Sequence, residues 1–310
     1  MQVQEGLPRI LDTYKNVHSM IINSPSLTEV FPRAIFRSLL QKLVRRGHTD
    51  LIESVAFALA EHGDSKWVQK RTGVILLEEC WPFARSTKCN TPSILTLKKI
   101  ASSKKNKDAS GLGSLAYEYS NGNRRAATDS PDTLSVKIVA AGLQRPEDFF
   151  YWLENRTLSL EQKAIIDYSK LLLKMASWQW DKAFCIAASY LAISSVSETA
   201  PFSPVSESEF PIWVAIDKHT PEGRAAIQRA SMKLKVPFNQ LSWISFYLES
   251  ARVNYLVESP WWTAERKWRF GHLNMTESYA EEVWSAASKI IKEDLLPHVI
   301  NAEGFIKINL

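Results

Sequence analysis

Apolar residues return every three or four positions along almost the whole chain, a period that commits it to helices packed on helices. In Arg33–Arg46 the set Ile35, Phe36, Leu39, Leu40, Leu43 and Val44 lies on one side of a helix, which Gly47 and His48 stop. Asp50 opens a second helix over 51–61, with Glu53 at capping distance, and Gly63 ends it. Ser65 caps a third through Trp67, Val68, Val74, Ile75 and Leu77, halted at Trp81-Pro82. Turns this short force neighbouring helices to pack antiparallel or nearly so. A further helix is expected over 8–22.

The same period continues in the second half. Asp132 caps a helix over 134–142, and Pro146 starts an aromatic one through Phe149, Phe150, Trp152 and Leu153. Ser159 with Gln162 forms a capping box for a helix reaching about Met175. The apolar, small-residue stretch 181–193 predicts a central helix. A surface loop over 194–209 follows, then a short strand or extended segment over 210–216. Thr220-Pro221-Glu222 is a strong helix start, with a capping hydroxyl and proline at the first helical position. That helix reaches about Leu234, and others are expected over 239–257, 260–269 and 276–295. The expected fold class is all-α, a multi-helix bundle or helical array with a long basic loop, divided as 1–97, 98–130 and 131–310.

Composition narrows the function classes. At 310 residues and 45% hydrophobic, the chain has enough apolar surface to bury a large core, which excludes a disordered tail, a fibre and a disulfide-stapled miniprotein. Three scattered cysteines, Cys80, Cys89 and Cys185, suit a reducing cytoplasm and make no zinc pattern. No basic region leads into an apolar run at the N-terminus, so no signal peptide is expected. No stretch of about 18 apolar residues predicts a membrane span.

Thirty-eight Lys and Arg against 33 Asp and Glu leave a charge of +5, and its placement is uneven. Between Lys98 and Ser130 the bases Lys98, Lys99, Lys104, Lys105, Lys107, Arg124 and Arg125 outnumber Asp108, Glu118 and Asp129. Serine, glycine and asparagine punctuate the same stretch, so it is expected to be a flexible loop. Such a loop either follows a phosphate backbone or is a solvated insertion. The second basic feature is the flank of Arg33–Arg46 opposite its apolar stripe, carrying Arg33, Arg37, Gln41, Arg45 and, further round, Lys42 and Arg46. No acid interrupts it, so it either offers guanidinium forks to phosphate or is an ordinary cationic face.

Familiar catalytic signatures are absent. There is no P-loop, no His-Glu-x-x-His, no Gly-x-Ser-x-Gly and no Cys-x-x-Cys, and Ser110-Gly-Leu-Gly-Ser114 lacks both a lysine and a preceding strand. Neither a metal site nor a cofactor is expected. One constellation remains, Asp217, His219 and Arg224 around the helix start at Thr220. It is either an anion or catalytic site, with Asp217 orienting His219, or a structural knot with Arg224 paired to Asp217 or Glu222. Tryptophan is frequent at 11, with Trp178 and Trp180 beside Lys182, and Trp261, Trp262 and Trp268 beside Arg266, Lys267 and Arg269. These rings either stack on single-stranded bases or, as is commoner, plug cores and interfaces. Glu78 and Glu79 are adjacent on a helix, so they do not face each other as an acid/base dyad.

Three runs carry a family resemblance: Leu-Val-Arg-Arg-Gly-His-Thr-Asp-Leu-Ile at 43–52, Ala-Phe-Ala-Leu-Ala-Glu-His-Gly-Asp at 56–64, and Val-Gln-Lys-Arg-Thr-Gly-Val-Ile-Leu-Leu-Glu-Glu at 68–79. Together they resemble the α-helical collar or oligomerisation region of clamp-loader-like AAA+ ATPases of the MgsA/WRNIP (replication-associated recombination protein A) type. The resemblance spans about 40 residues and includes no ATPase module. Glu79 stands where that family usually has Asp, and no catalytic residue carries over. It implies a part in DNA replication or repair, in a homo- or hetero-oligomeric assembly.

Three functions follow as expectations. The first is a non-enzymatic helical accessory protein of nucleic-acid metabolism, joined to itself or to a protein partner, touching phosphate through Arg33, Arg37, Arg45, Arg46 and the 98–125 bases. The second is an enzyme or anion-binding protein centred on Asp217, His219 and Arg224. The third is a purely structural scaffold subunit.

Overall fold

Helix α1 (Arg33–Arg46) is deeply set: ten of its 14 residues are buried, so both its apolar stripe and much of its cationic flank are covered. The computed structural model describes residues 30–87, 94–194, 196, 199–203 and 210–308. The helix expected over 8–22, Cys89, and much of the 194–209 loop lie outside these. Gly47 ends α1 in a left-handed conformation (φ 77°), its N–H and that of His48 closing back on Val44 and Leu43. Helices α2 (Asp50–Leu59) and α3 (Ser65–Cys80) follow, joined by a π-helical turn whose kink falls at Gly63 (φ 86°). A 3-10 turn, Trp81–Ser86, leads away from α3, and α4 (Ile94–Ala101) packs back on α1 and α3.

The expected loop over 98–130 is a correction. Its middle is α5 (Asp108–Ser120), with every residue from Ala109 to Ala116 buried, followed by the short α6 (Arg125–Thr128). Gly111 and Gly113 are contact points rather than loop punctuation. A Cβ on Gly111 would sit 2.4 Å from the Trp261 backbone, and one on Gly113 2.9 Å from that of Ala183. Glycine in a helix interior weakens it locally, but here it lets neighbouring helices approach α5 to backbone distance.

Around α5 pack α7 (Thr133–Gln144), α10 (Gln179–Ala192) and α13 (Pro260–His272), while α8 (Pro146–Glu154) and α9 (Leu160–Met175) form an outer layer. The caps at Asp132 and Ser159/Gln162 form as expected. Asp50 and Ser65 do not cap; they are the first residues of their helices. Among the described residues no strand forms. Residues 212–215, expected as extended, make a 3-10 turn.

Helix α11 (Pro221–Leu234) then runs against α14 (Glu277–Ile308). The helix expected over 239–257 is shorter: α12 (Phe238–Ser245) passes into a π-helical turn ending at Ser250. One apolar core extends from Ile35 to Ile306, and a smaller one joins Ile244, Tyr247, Phe270, Met275 and Ala280. The architecture is an all-α array, and no described helix is long and apolar enough to cross a membrane.

Candidate functional site

The C-terminal part of the cationic flank of α1, Lys42, Arg45 and Arg46, is turned into the protein, because α3 and the turns at 212–219 and 246–250 supply groups that cover it. A buried guanidinium or ammonium persists only when paired, and Lys42, Arg45 and Arg46 each find a carboxylate. Arg37 forms a bidentate pair with Asp64 at 2.8 and 2.7 Å, and Arg33 donates to the carbonyl of His62. Arg45 donates to Glu79 and Glu78 at 2.6 Å each and to the Ser250 carbonyl, so the two adjacent acids converge on one guanidinium. Arg46 donates to the Glu249 carboxylate at 2.6 Å. Gln41 accepts two N–H groups of Arg71, which also holds Asp181.

Two bases of the expected loop join this lattice. Lys107 reaches Glu79 at 2.9 Å with both side chains 1% exposed. Lys105 donates to the carbonyls of Ile100, Ala101 and Ser103, closing the C-terminus of α4. Burial pulls both amines down, Lys105 to about 8. Burial alone would raise the carboxyl of Glu79, but Arg45 and Lys107 outweigh it and hold it at about 2. Arg45, Arg46, Lys105 and Lys107 therefore have their charged heads engaged within the chain, a correction to the expected phosphate-contacting set.

Arg33 and Arg37 stay partly in solvent, 51% and 36% exposed, with Asp64 beside both, and the remaining members of that set face outward. Lys99 and Lys104 are exposed, Lys99 with its ammonium 4.8 Å from the Phe83 ring centre. Lys98 pairs with Glu53 at the surface. Arg124 and Arg125 are exposed at the start of α6, Arg125 beside Asp129 at 3.3 Å.

The Asp217 turn is built differently from either sequence reading. Asp217 Oδ1 accepts from the backbone N–H of His219 and lies 3.1 Å from its Nδ1, so these two residues do meet. The other oxygen, Oδ2, is held by Lys42 at 2.5 Å, a partner that the local sequence does not reveal. Burial pushes the Asp217 carboxyl up, yet Lys42 and His219 together keep it well below the usual carboxylate range. Thr220 caps α11 through the N–H of Gly223. Arg224 neither pairs with Asp217 nor joins it; it is exposed, over the ring of Phe238 at 5.7 Å. The crevice beside Asp217, lined by Trp213, Ile216, Ser245, Glu249 and Trp284, admits no more than about a single water. Among the described residues no cluster of three His, Cys, Asp or Glu is placed to hold a metal.

The tryptophan clusters are packing elements. Trp268 and Arg269 are 4% exposed, and the Arg269 guanidinium stacks on Trp243 and Trp268 while donating to Glu118 at 2.6 Å. Trp178 alone stands well out, 59% exposed ahead of α10.

A cationic face that the sequence reading passed over lies on α11. Between Gly223 and Val236 there are four bases, Arg224, Arg229, Lys233 and Lys235, and no acid, and all four are exposed. An acid-free run of bases on one helix was the available signal, the same signal read on α1.

No family model, curated protein or solved structure matches this chain.

Proposed function

We propose that the protein is a non-enzymatic helical accessory subunit of a nucleic-acid-handling assembly, meeting phosphate through the cations its fold leaves outside. The observation that supports this most is the sorting of charge. Buried carboxylates satisfy Arg45, Arg46 and Lys107, whereas Lys99, Lys104 and Arg124 stay exposed without an ion-pair partner among the described residues. A surplus of cations on a rigid helical surface attracts polyanions by counterion release. The resemblance of 43–79 to a collar region is consistent with such a subunit.

Native purification with mass and absorbance ratio measured together reports assembly state and bound nucleic acid at once. Replacing Lys99, Lys104, Arg124 and Arg125 by Ala is expected to weaken DNA or RNA binding and flatten its salt dependence. An unmodified protein that binds neither at about 50 mM salt overturns the reading.

The rival, a purely structural scaffold, is favoured by the neutralisation of α1. It predicts a complex of defined mass, free of nucleic acid.

A further inference from the structure

The geometry points to the outward face of α11 as the principal phosphate-contacting surface, with nucleic acid as its partner; this rests on the function proposed above. Helices α1 and α11 share a sequence signature, a run of several bases with no acid among them (in α11 the run begins after Glu222), and have opposite fates. Gly223, Ala226, Ile227, Ala230 and Ser231 turn inward and are buried, which leaves the rest of the circumference of α11 to solvent. On that exposed part lie Arg224, Arg229, Lys233 and Lys235. Arg229 meets Asp294 of α14 at 2.7 Å, and no ion pair holds the other three among the described residues. At about 100° per residue Arg224 and Lys235 fall within about 20° of each other on one edge of the exposed face, about 16 Å apart along the axis, while Arg229 and Lys233 lie about 140° and about 180° round, on its other edge. Cations set on both edges of an exposed helix face and spread along about three turns suit a polymer of regularly spaced phosphates better than a single small anion, which cannot reach both edges.

Lys235 supplies an independent observation. It occupies the C-terminal cap of α11 with φ 55° and ψ 34°, the left-handed conformation that glycine adopts there without strain. The N–H groups of Lys235 and Val236 close back on Met232 and Ser231, so the turn is a fully formed helix stop. A lysine kept at a glycine position, with its ammonium in solvent, is strain retained for the side chain.

The surface also selects among polyanions. The apolar side of α11 is already buried in the core, so nothing is left to insert into a bilayer. Met232 is the one large apolar side chain on the outward face, too little to anchor a folded protein.

The test is fluorescence anisotropy with labelled single- and double-stranded DNA and RNA oligonucleotides across a salt series. The variants are R224A/K233A/K235A and K99A/K104A/R124A/R125A. The α11 triple variant is expected to bind about tenfold or more weakly, with a salt slope shallower by about 2 to 3. Unchanged binding by that variant, with loss in the other set, overturns this inference and leaves the proposed function standing. Failure of the unmodified protein to bind any of the four overturns both. Tighter association with phosphatidylserine vesicles than with nucleic acid overturns the choice of partner. K235G provides a second measurement: a raised Tm with weaker binding supports the argument from strain, and a raised Tm with unchanged binding removes Lys235 from the surface.

Discussion

Lys42 of α1 and Asp217, just ahead of α11, meet at 2.5 Å across 175 residues of sequence, each side chain 5% exposed. The pair joins the N-terminal helices to the start of α11 and makes Asp217 an anchor that His219 merely flanks. Removing one partner leaves a buried charge without compensation. Lys42→Met is expected to cost about 3–5 kcal/mol in urea unfolding at neutral pH, whereas the double variant K42M/D217L should recover most of the loss. A double variant as unstable as the single one would contradict this account.

Glu79 makes stability depend on acid. Its carboxyl sits at about 2 in the folded chain and near 4.5 when unfolded. A group depressed in this way stabilises fully above about pH 5 and loses its contribution as pH falls towards 2, about 3 kcal/mol in all. E79Q should show a shallower fall in stability over that window by chemical denaturation. An acid limb identical to that of the unmodified protein would place the dependence elsewhere.

The glycines of α5 and α14 differ in what surrounds them. Gly111→Ala puts a methyl 2.4 Å from the Trp261 backbone and is expected to cost about 1–3 kcal/mol or more. A Cβ added at Gly304, inside α14, would meet nothing within 4 Å, so Gly304→Ala should stabilise by about 0.5–1 kcal/mol. Thermal unfolding of the two variants, compared side by side, tests the assignment of α5 as a closely packed helix rather than a loop.

Cys80 and Cys185 are buried, and burial pushes both thiols up, Cys80 to about 11. In a C89S background at pH 8, neither should react with a thiol reagent until the protein is unfolded. Rapid labelling of the native protein would show that α3 or α10 opens readily.

Local chemistry carried much of this fold into the sequence. The Ser159/Gln162 box, the Asp132 cap and the Thr220-Pro221 start act over two or three residues, and each stands where its pattern predicts. The helical period likewise depends only on neighbours, and the apolar stripe of α1 is its core face. Gly111 and Gly113 misled because a glycine permits both a loop and a close helix crossing, and the partner backbones at Trp261 and Ala183 lie far along the chain. Charge misled for the same reason. Whether an arginine meets solvent or Glu79 depends on which helix packs across it, and burying it requires a carboxylate brought from elsewhere. Only the carboxylates brought by α3, the Asp217 turn and the turn at 246–250 closed Lys42, Arg45 and Arg46 of one cationic helix, and only the burial of the apolar side of α11 left the other open to water.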